Sequence, residues 1–101
     1  MKPKLALSDG ELLIVTAILR ENLPEDVSLH VFGSRARGRV KNWSDLDLVL
    51  EGPAQLPLSL IAVLKEAFEN SDFPWKVDIV DRRSVSAEFG RIIDLTKVPF
   101  N

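Results

Sequence analysis

Val31-Phe32-Gly33-Ser34-Arg35-Ala36-Arg37-Gly38, followed by Ser44-Asp45-Leu46-Asp47-Leu48-Val49-Leu50, is the stretch that decides the fold. An apolar run that ends in Gly-Ser and opens into a basic segment presents backbone N–H groups to an anion. The next apolar run alternates, so Asp45 and Asp47 share one strand face while Leu46, Leu48 and Leu50 share the other. Their Cα atoms are then roughly 6.5–7 Å apart, with side chains leaning the same way. Two carboxylates about 5 Å apart, at an effective dielectric of about 20, repel by roughly 3 kcal/mol. A fold gains nothing from that arrangement unless a cation offsets it.

Taken singly, these residues differ in weight. Asp45 alone reads equally well as a turn residue beside Ser44. Asp47 resists that reading, because Asp is depleted in strands and rarely buried unpaired. Asp78, within Lys76-Val77-Asp78-Ile79-Val80, repeats the anomaly on another apolar run; its alternative is a salt bridge to Lys76 or Arg82. Asp81 reads as the end of that strand. Gly33 lets backbone approach a phosphate, and the Ser34 hydroxyl and N–H suit a terminal phosphate oxygen. Arg35 and Arg37 offer guanidinium groups to a triphosphate or a departing pyrophosphate, whereas Arg39 and Lys41 read as solvated loop charges or acceptor contacts. Three carboxylates without soft ligands suit Mg²⁺ or Mn²⁺. His30 reads as a satisfied strand histidine, Trp43 as a base-stacking or loop-anchoring aromatic, and Trp75 as packing at the edge of a strand.

A chain of 101 residues is expected to form one domain, 1–101, with a sizeable core. With 46% hydrophobic and 28% charged residues it reads as globular rather than disordered. A net charge of −2 argues against nucleic acid as a partner, which requires a broad basic face. The absence of Cys excludes disulfides and thiolate metal sites, and a single His leaves little room for zinc. The apolar segment Leu12–Leu19 is too short to span a membrane, so the expected location is cytoplasmic.

Ser8-Asp9-Gly10-Glu11 announces a helix with a capping box, expected to run to about Glu21. Leu12, Val15, Leu19 and Leu23 form its stripe, but Leu13, Ile14, Ala17 and Ile18 make it apolar around most of its girth. Burial on two sides or a covering partner would account for that. A strand from Val27 to Phe32 leads into Gly33, followed by a short helical turn at Ser34–Arg37 and a loop at Gly38–Trp43. The second strand covers about Leu46 to Leu50. Pro57 suits the first turn of a second helix with Leu60, Leu64, Ala67 and Phe68 on one face. A third strand begins at Trp75 or Lys76 and ends at Val80, a last helix lies between Ser84 or Ser86 and Leu95, and Val98-Pro99-Phe100 forms an extended tail. The expected fold class is α/β, a small sheet flanked by helices mainly on one side.

A Gly-Ser turn, a spacer and Asp-x-Asp together resemble the active-site signature of the polymerase-β-like nucleotidyltransferase superfamily. The closer wording, Gly33-Ser34-Arg35-Ala36-Arg37-Gly38 with Ser44-Asp45-Leu46-Asp47-Leu48, is similar to the minimal nucleotidyltransferases, small prokaryotic proteins often found beside a helical HEPN-domain partner. That family carries a third carboxylate on a later strand, a place Asp78 fits. The resemblance implies a mixed sheet, with the three aspartates on the face opposite its main helices. It further implies that Asp45 and Asp47 hold two metal ions and the nucleoside triphosphate, the ions about 3.5–4 Å apart. Asp78 would complete the ion that activates the acceptor hydroxyl and take its proton.

The activity so implied is transfer of a nucleoside monophosphate, AMP from ATP in the favoured version, to a hydroxyl with release of pyrophosphate. The family association points to a hydroxyl on a HEPN toxin, this chain being the antitoxin, with a partner or a second copy completing the site. The alternative is a non-catalytic antitoxin, a binding module that neutralises a helical partner by complex formation.

Overall fold

The computed structural model describes residues 7–33, 35 and 45–100. The Ser8 N–H donates to Glu11 Oε1 at 2.9 Å, and the Ser8 hydroxyl accepts from the Glu11 N–H at 3.1 Å. The expected capping box therefore closes, and helix α1 runs Asp9–Asn22. Strands β1 (Ser28–Phe32) and β2 (Leu46–Glu51) follow, then helix α2 (Leu58–Glu69), strand β3 (Val77–Asp81), helix α3 (Ala87–Thr96) and strand β4 (Val98–Pro99). Pro57 is the N-cap of α2 rather than a member of its first turn. Ser86 caps α3 through its hydroxyl, which accepts from the Phe89 N–H. The turn expected at 34–37 and the loop expected at 38–43 lie outside the described residues, apart from Arg35.

Among the described residues the sheet has the order β3-β2-β1-β4. β1 and β2 are antiparallel, with Val31 opposite Leu48 and Phe32 opposite Asp47. β2 and β3 are parallel, with Leu48 opposite Ile79, and α2 supplies the crossover that a parallel pair requires. The tail expected only as extended chain pairs antiparallel with β1, Val31 opposite Val98, and so becomes a fourth strand.

The two-residue period of the strands divides the apolar side chains between two faces. Leu29, Val31, Leu46, Leu48, Leu50 and Ile79 meet Val15, Ile18 and Leu19 of α1 and Leu64 and Phe68 of α2 in the main core. On the other face Phe32, Val49 and Val80 meet Ile93 of α3 and Val85 in a smaller cluster. The stripe expected on α1 is rotated toward Ile18, while Leu12 and Leu23 are only partly buried. Most of the wide apolar girth of α1 is consequently absorbed by the core, Leu13 being left 72% exposed. The more extensive exposed apolar surface is on α3, at Phe89, Ile92 and Leu95.

Candidate active site

β1 ends against β2, and that junction builds the site. Gly33 follows β1 with φ of +76°, a left-handed conformation that glycine adopts without steric cost. A Cβ placed on Gly33 would collide with Asp47 Oδ2 and lie 3.3 Å from its Cγ. The turn backbone therefore rests directly on the Asp47 carboxylate, which is where the missing side chain is needed.

On its other side Asp47 stands opposite Asp78 across the parallel β2–β3 ladder. Residues in register on neighbouring strands point to the same face, and this is the face opposite α1 and α2, as expected. Asp45 lies one residue before β2, in step with Asp47. Burial, then the charges of Asp78 and Asp45, push the Asp47 carboxyl up to about 6, against a smaller pull from Lys76. Lys76 pairs with Asp78 at 3.9 Å, a loose contact between exposed side chains that contributes little in water. Arg82, the other cation considered for Asp78, is committed instead to Asp94 at 2.9 Å.

As the side chains stand, no three carboxylate, imidazole or thiol groups among the described residues lie close enough together to hold a metal ion. The structure thus puts Asp47 and Asp78 in register and Asp45 within electrostatic reach, without the full convergence expected of the three. The donor chemistry nevertheless fits a hard divalent cation: the groups offer oxygen only, and their mutual repulsion is what such an ion would neutralise.

Ser34 and Arg37 lie outside the described residues. Arg35 does not stand open to an anion. It is 3% exposed, with its guanidinium carbon 5.6 Å from the centre of the Trp75 ring. The Trp75 indole N–H donates to Glu11 Oε2 at 2.7 Å. These two contacts of Trp75, with Arg35 and with Glu11, are not signalled by the sequence, where Glu11 reads only as a helix cap and Trp75 only as edge packing. His30 also departs from expectation, since its Nδ1 is buried with no hydrogen-bond partner among the described residues. Asp81 does end its strand, and its carboxylate accepts from the N–H groups of Leu56 and Arg83.

Comparison with known proteins places this geometry. A family model described as a nucleotidyltransferase domain matches residues 14–100. The chain is 41% identical over 90 residues to a probable protein adenylyltransferase, MntA, of Haemophilus influenzae, covering 89% of this chain and 78% of that protein. It superposes with a TM-score of 0.73 on a toxin-antitoxin crystal structure with AMP-PNP, at 23% identity over 89% of this chain and 72% of that one. A complex of tri-AMPylated Shewanella oneidensis HEPN toxin with MNT antitoxin gives a TM-score of 0.68 at 18% identity, over 94% and 72% of the two chains. These two likenesses are of fold, and the fold is that of the polymerase-β-like nucleotidyltransferases. The family match over most of the chain, joined to the identity with MntA, makes this chain an enzyme of the nucleotidyltransferase domain family.

Proposed function

We propose that this chain transfers the AMP of ATP to a hydroxyl on a HEPN-type protein, releasing pyrophosphate and silencing that protein as its antitoxin. The seat of Asp47 carries the reading: the Gly33 turn rests on one side of its carboxylate, and Asp78 stands in register on the other. A bound nucleotide would have its phosphates at the turn and its reacting phosphorus between the aspartates. The identity to MntA supports a protein hydroxyl as acceptor. The AMP-PNP and AMPylated-toxin structures support an adenine nucleotide and a HEPN partner.

Asp45, Asp47 and Asp78 would hold Mg²⁺ or Mn²⁺, which neutralises phosphate charge and makes the acceptor hydroxyl more acidic. The Gly33 N–H, the Ser34 hydroxyl and the Arg37 guanidinium take the phosphate oxygens. Asp78 accepts the proton of the acceptor hydroxyl as its oxygen bonds to the α-phosphorus, and the bond from that phosphorus to the pyrophosphate oxygen breaks. ATP as donor sets the reaction in the cytoplasm. No helix among the described residues is long and apolar enough to cross a membrane.

Incubation with radiolabelled ATP, MgCl₂ and the cognate HEPN-type protein tests the proposal. The expected result is covalent AMP on that protein, absent with Asp78→Ala although the complex still forms. Equal neutralisation by wild type and Asp78→Ala, with no mass increase on the partner in either case, would leave a binding module in place of an enzyme.

A further inference from the structure

Arg35 belongs to the segment that follows β1, Trp75 to the segment that leads into β3, and Glu11 to the first turn of α1. They are far apart in sequence, yet Trp75 touches both of the others. Glu11 uses both carboxylate oxygens, Oε1 for the Ser8 N–H at 2.9 Å and Oε2 for the Trp75 indole N–H at 2.7 Å. A helix cap alone needs only the first of these. Trp75 then offers its ring to the buried Arg35 guanidinium, 5.6 Å from the ring centre, a geometry in which cation and ring attract.

We propose that Glu11, Trp75 and Arg35 form a positioning latch that holds the Gly33 turn at its working distance from Asp47 and Asp78, so that Arg35 acts on the nucleotide through the turn rather than by touching phosphate. The inference rests on the nucleotidyltransferase reading above. Arg35 lies two residues beyond Gly33, whose backbone bears on Asp47. Trp75 lies three residues before Asp78, on the chain that enters the edge strand β3. A contact between Arg35 and Trp75 therefore ties the phosphate side of the site to its acceptor side, and Glu11 anchors the tie to a helix packed in the main core.

The electrostatics agree with this geometry. Although burial would raise it, the Glu11 carboxyl is held below its ordinary value by hydrogen bonds from Ser8 and Trp75 and by the positive charge of Arg35. Glu11 thus stays ionised, so that it can accept two N–H bonds and face a cation. Arginine is the residue suited to this place, because its planar guanidinium stacks on a ring as a lysine ammonium does not.

The test uses the full chain with ATP and MgCl₂, measuring nucleotide affinity by titration calorimetry, thermal melting, and exchange protection of the Trp75 indole proton by NMR. Trp75→Leu and Arg35→Lys should each weaken ATP affinity on the order of tenfold while the protein remains folded, because a small misplacement of a positioning group is costly. Trp75→Phe, which keeps a ring under the guanidinium, should recover part of the loss. Glu11→Gln should abolish protection of the indole proton. Two results would overturn the latch. In one, Trp75→Leu melts lower but binds ATP as wild type does, making the contact structural only. In the other, Arg35→Lys loses affinity and Trp75→Leu does not, which would put Arg35 directly on phosphate. A wild-type protein with a protected indole proton that binds no ATP would instead bring down the nucleotidyltransferase reading of the site, and the latch with it.

Discussion

β2 and β3 carry acidic residues at both ends, and the two ends treat them differently. At one end stand Asp47 and Asp78, opposite each other, with Lys76 at 3.9 Å from Asp78 as a loose counter-charge. At the other end Glu51 bonds to Lys97, and Lys97 also reaches Asp94 at 3.2 Å, while Asp94 pairs with Arg82. Asp81, buried at that end, accepts from the Leu56 N–H at 2.8 Å, the Arg83 N–H at 3.0 Å and the Ser84 hydroxyl at 3.2 Å. Acids that serve the fold have fixed donors. Acids left to repel one another lack such donors, and on the proposed reading a cation from outside would offset their charge.

That contrast can be broken most directly by exchanging what each end loses. On the proposed reading Asp47→Asn should lower the rate of AMP transfer on the order of a thousandfold, since it removes charge that would hold a cation against the reacting phosphate. The same change should leave the melting temperature unchanged or slightly raised, because it relieves repulsion. Asp81→Ala should do the opposite. It strands the part-buried N–H groups of Leu56 and Arg83 and should cost about 1–3 kcal/mol of stability in urea unfolding, while the folded protein transfers AMP at nearly the wild-type rate. Loss of transfer in both variants with unchanged stability in both would erase the distinction between the two ends.

Much of this contrast was legible beforehand, and the reason is locality. The Ser8–Glu11 box spans one helical turn, so its reading needed no tertiary knowledge, and it closes as expected. The alternation of Leu46, Asp47, Leu48 and Val49 put Asp47 on the face away from the leucines, where it is found. Asp78 stood out as a charge in an apolar run, although only the parallel register of β2 and β3 reveals that it faces Asp47. What stayed hidden depends on distant pairing. Val98-Pro99 is too short to signal a strand and becomes one because the edge of β1 lies beside it. The rotation of α1 toward Ile18 is set by the packing of α2 and the sheet against it. Arg35 reads as a phosphate ligand from its neighbours in sequence, which belong to the turn, whereas its place over the Trp75 ring depends on a residue forty positions away.

A smaller effect sharpens the same comparison. A ligand that binds only the folded chain raises its melting temperature, so MgCl₂ should raise the melting temperature of wild type, and Asp47→Asn should respond far less. NaCl at matched ionic strength should not reproduce the gain, because screening acts on both ends. Equal shifts in wild type and variant would place the cation away from Asp47.

The smallest effect is the dependence of stability on pH, and its sign differs between the ends. The Asp47 carboxyl is raised from 3.8 to about 6 in the fold, so between these values the folded chain holds a proton that the unfolded chain has lost. Stability must therefore fall as pH rises through that window. The penalty is fully present above about pH 6 and absent below about pH 4. Asp94 is held far below its ordinary value, by its hydrogen bond from Arg82 first and then by that from Lys97. Its contribution is present above the unfolded value of 3.8 and is lost only as the solution becomes more acid than that. The two windows hardly overlap, which lets one titration separate the ends. The melting temperature of Asp47→Asn minus that of wild type should be near zero at pH 4 and positive at pH 7, most of the change falling between pH 4 and 6. With MgCl₂ the trend should reverse, since a bound cation favours the ionised carboxylate and wild type then gains stability across the same window. A difference that does not vary with pH would mean that Asp47 is neither crowded by Asp78 and Asp45 nor desolvated, and that the end assigned to catalysis is as well satisfied as the other.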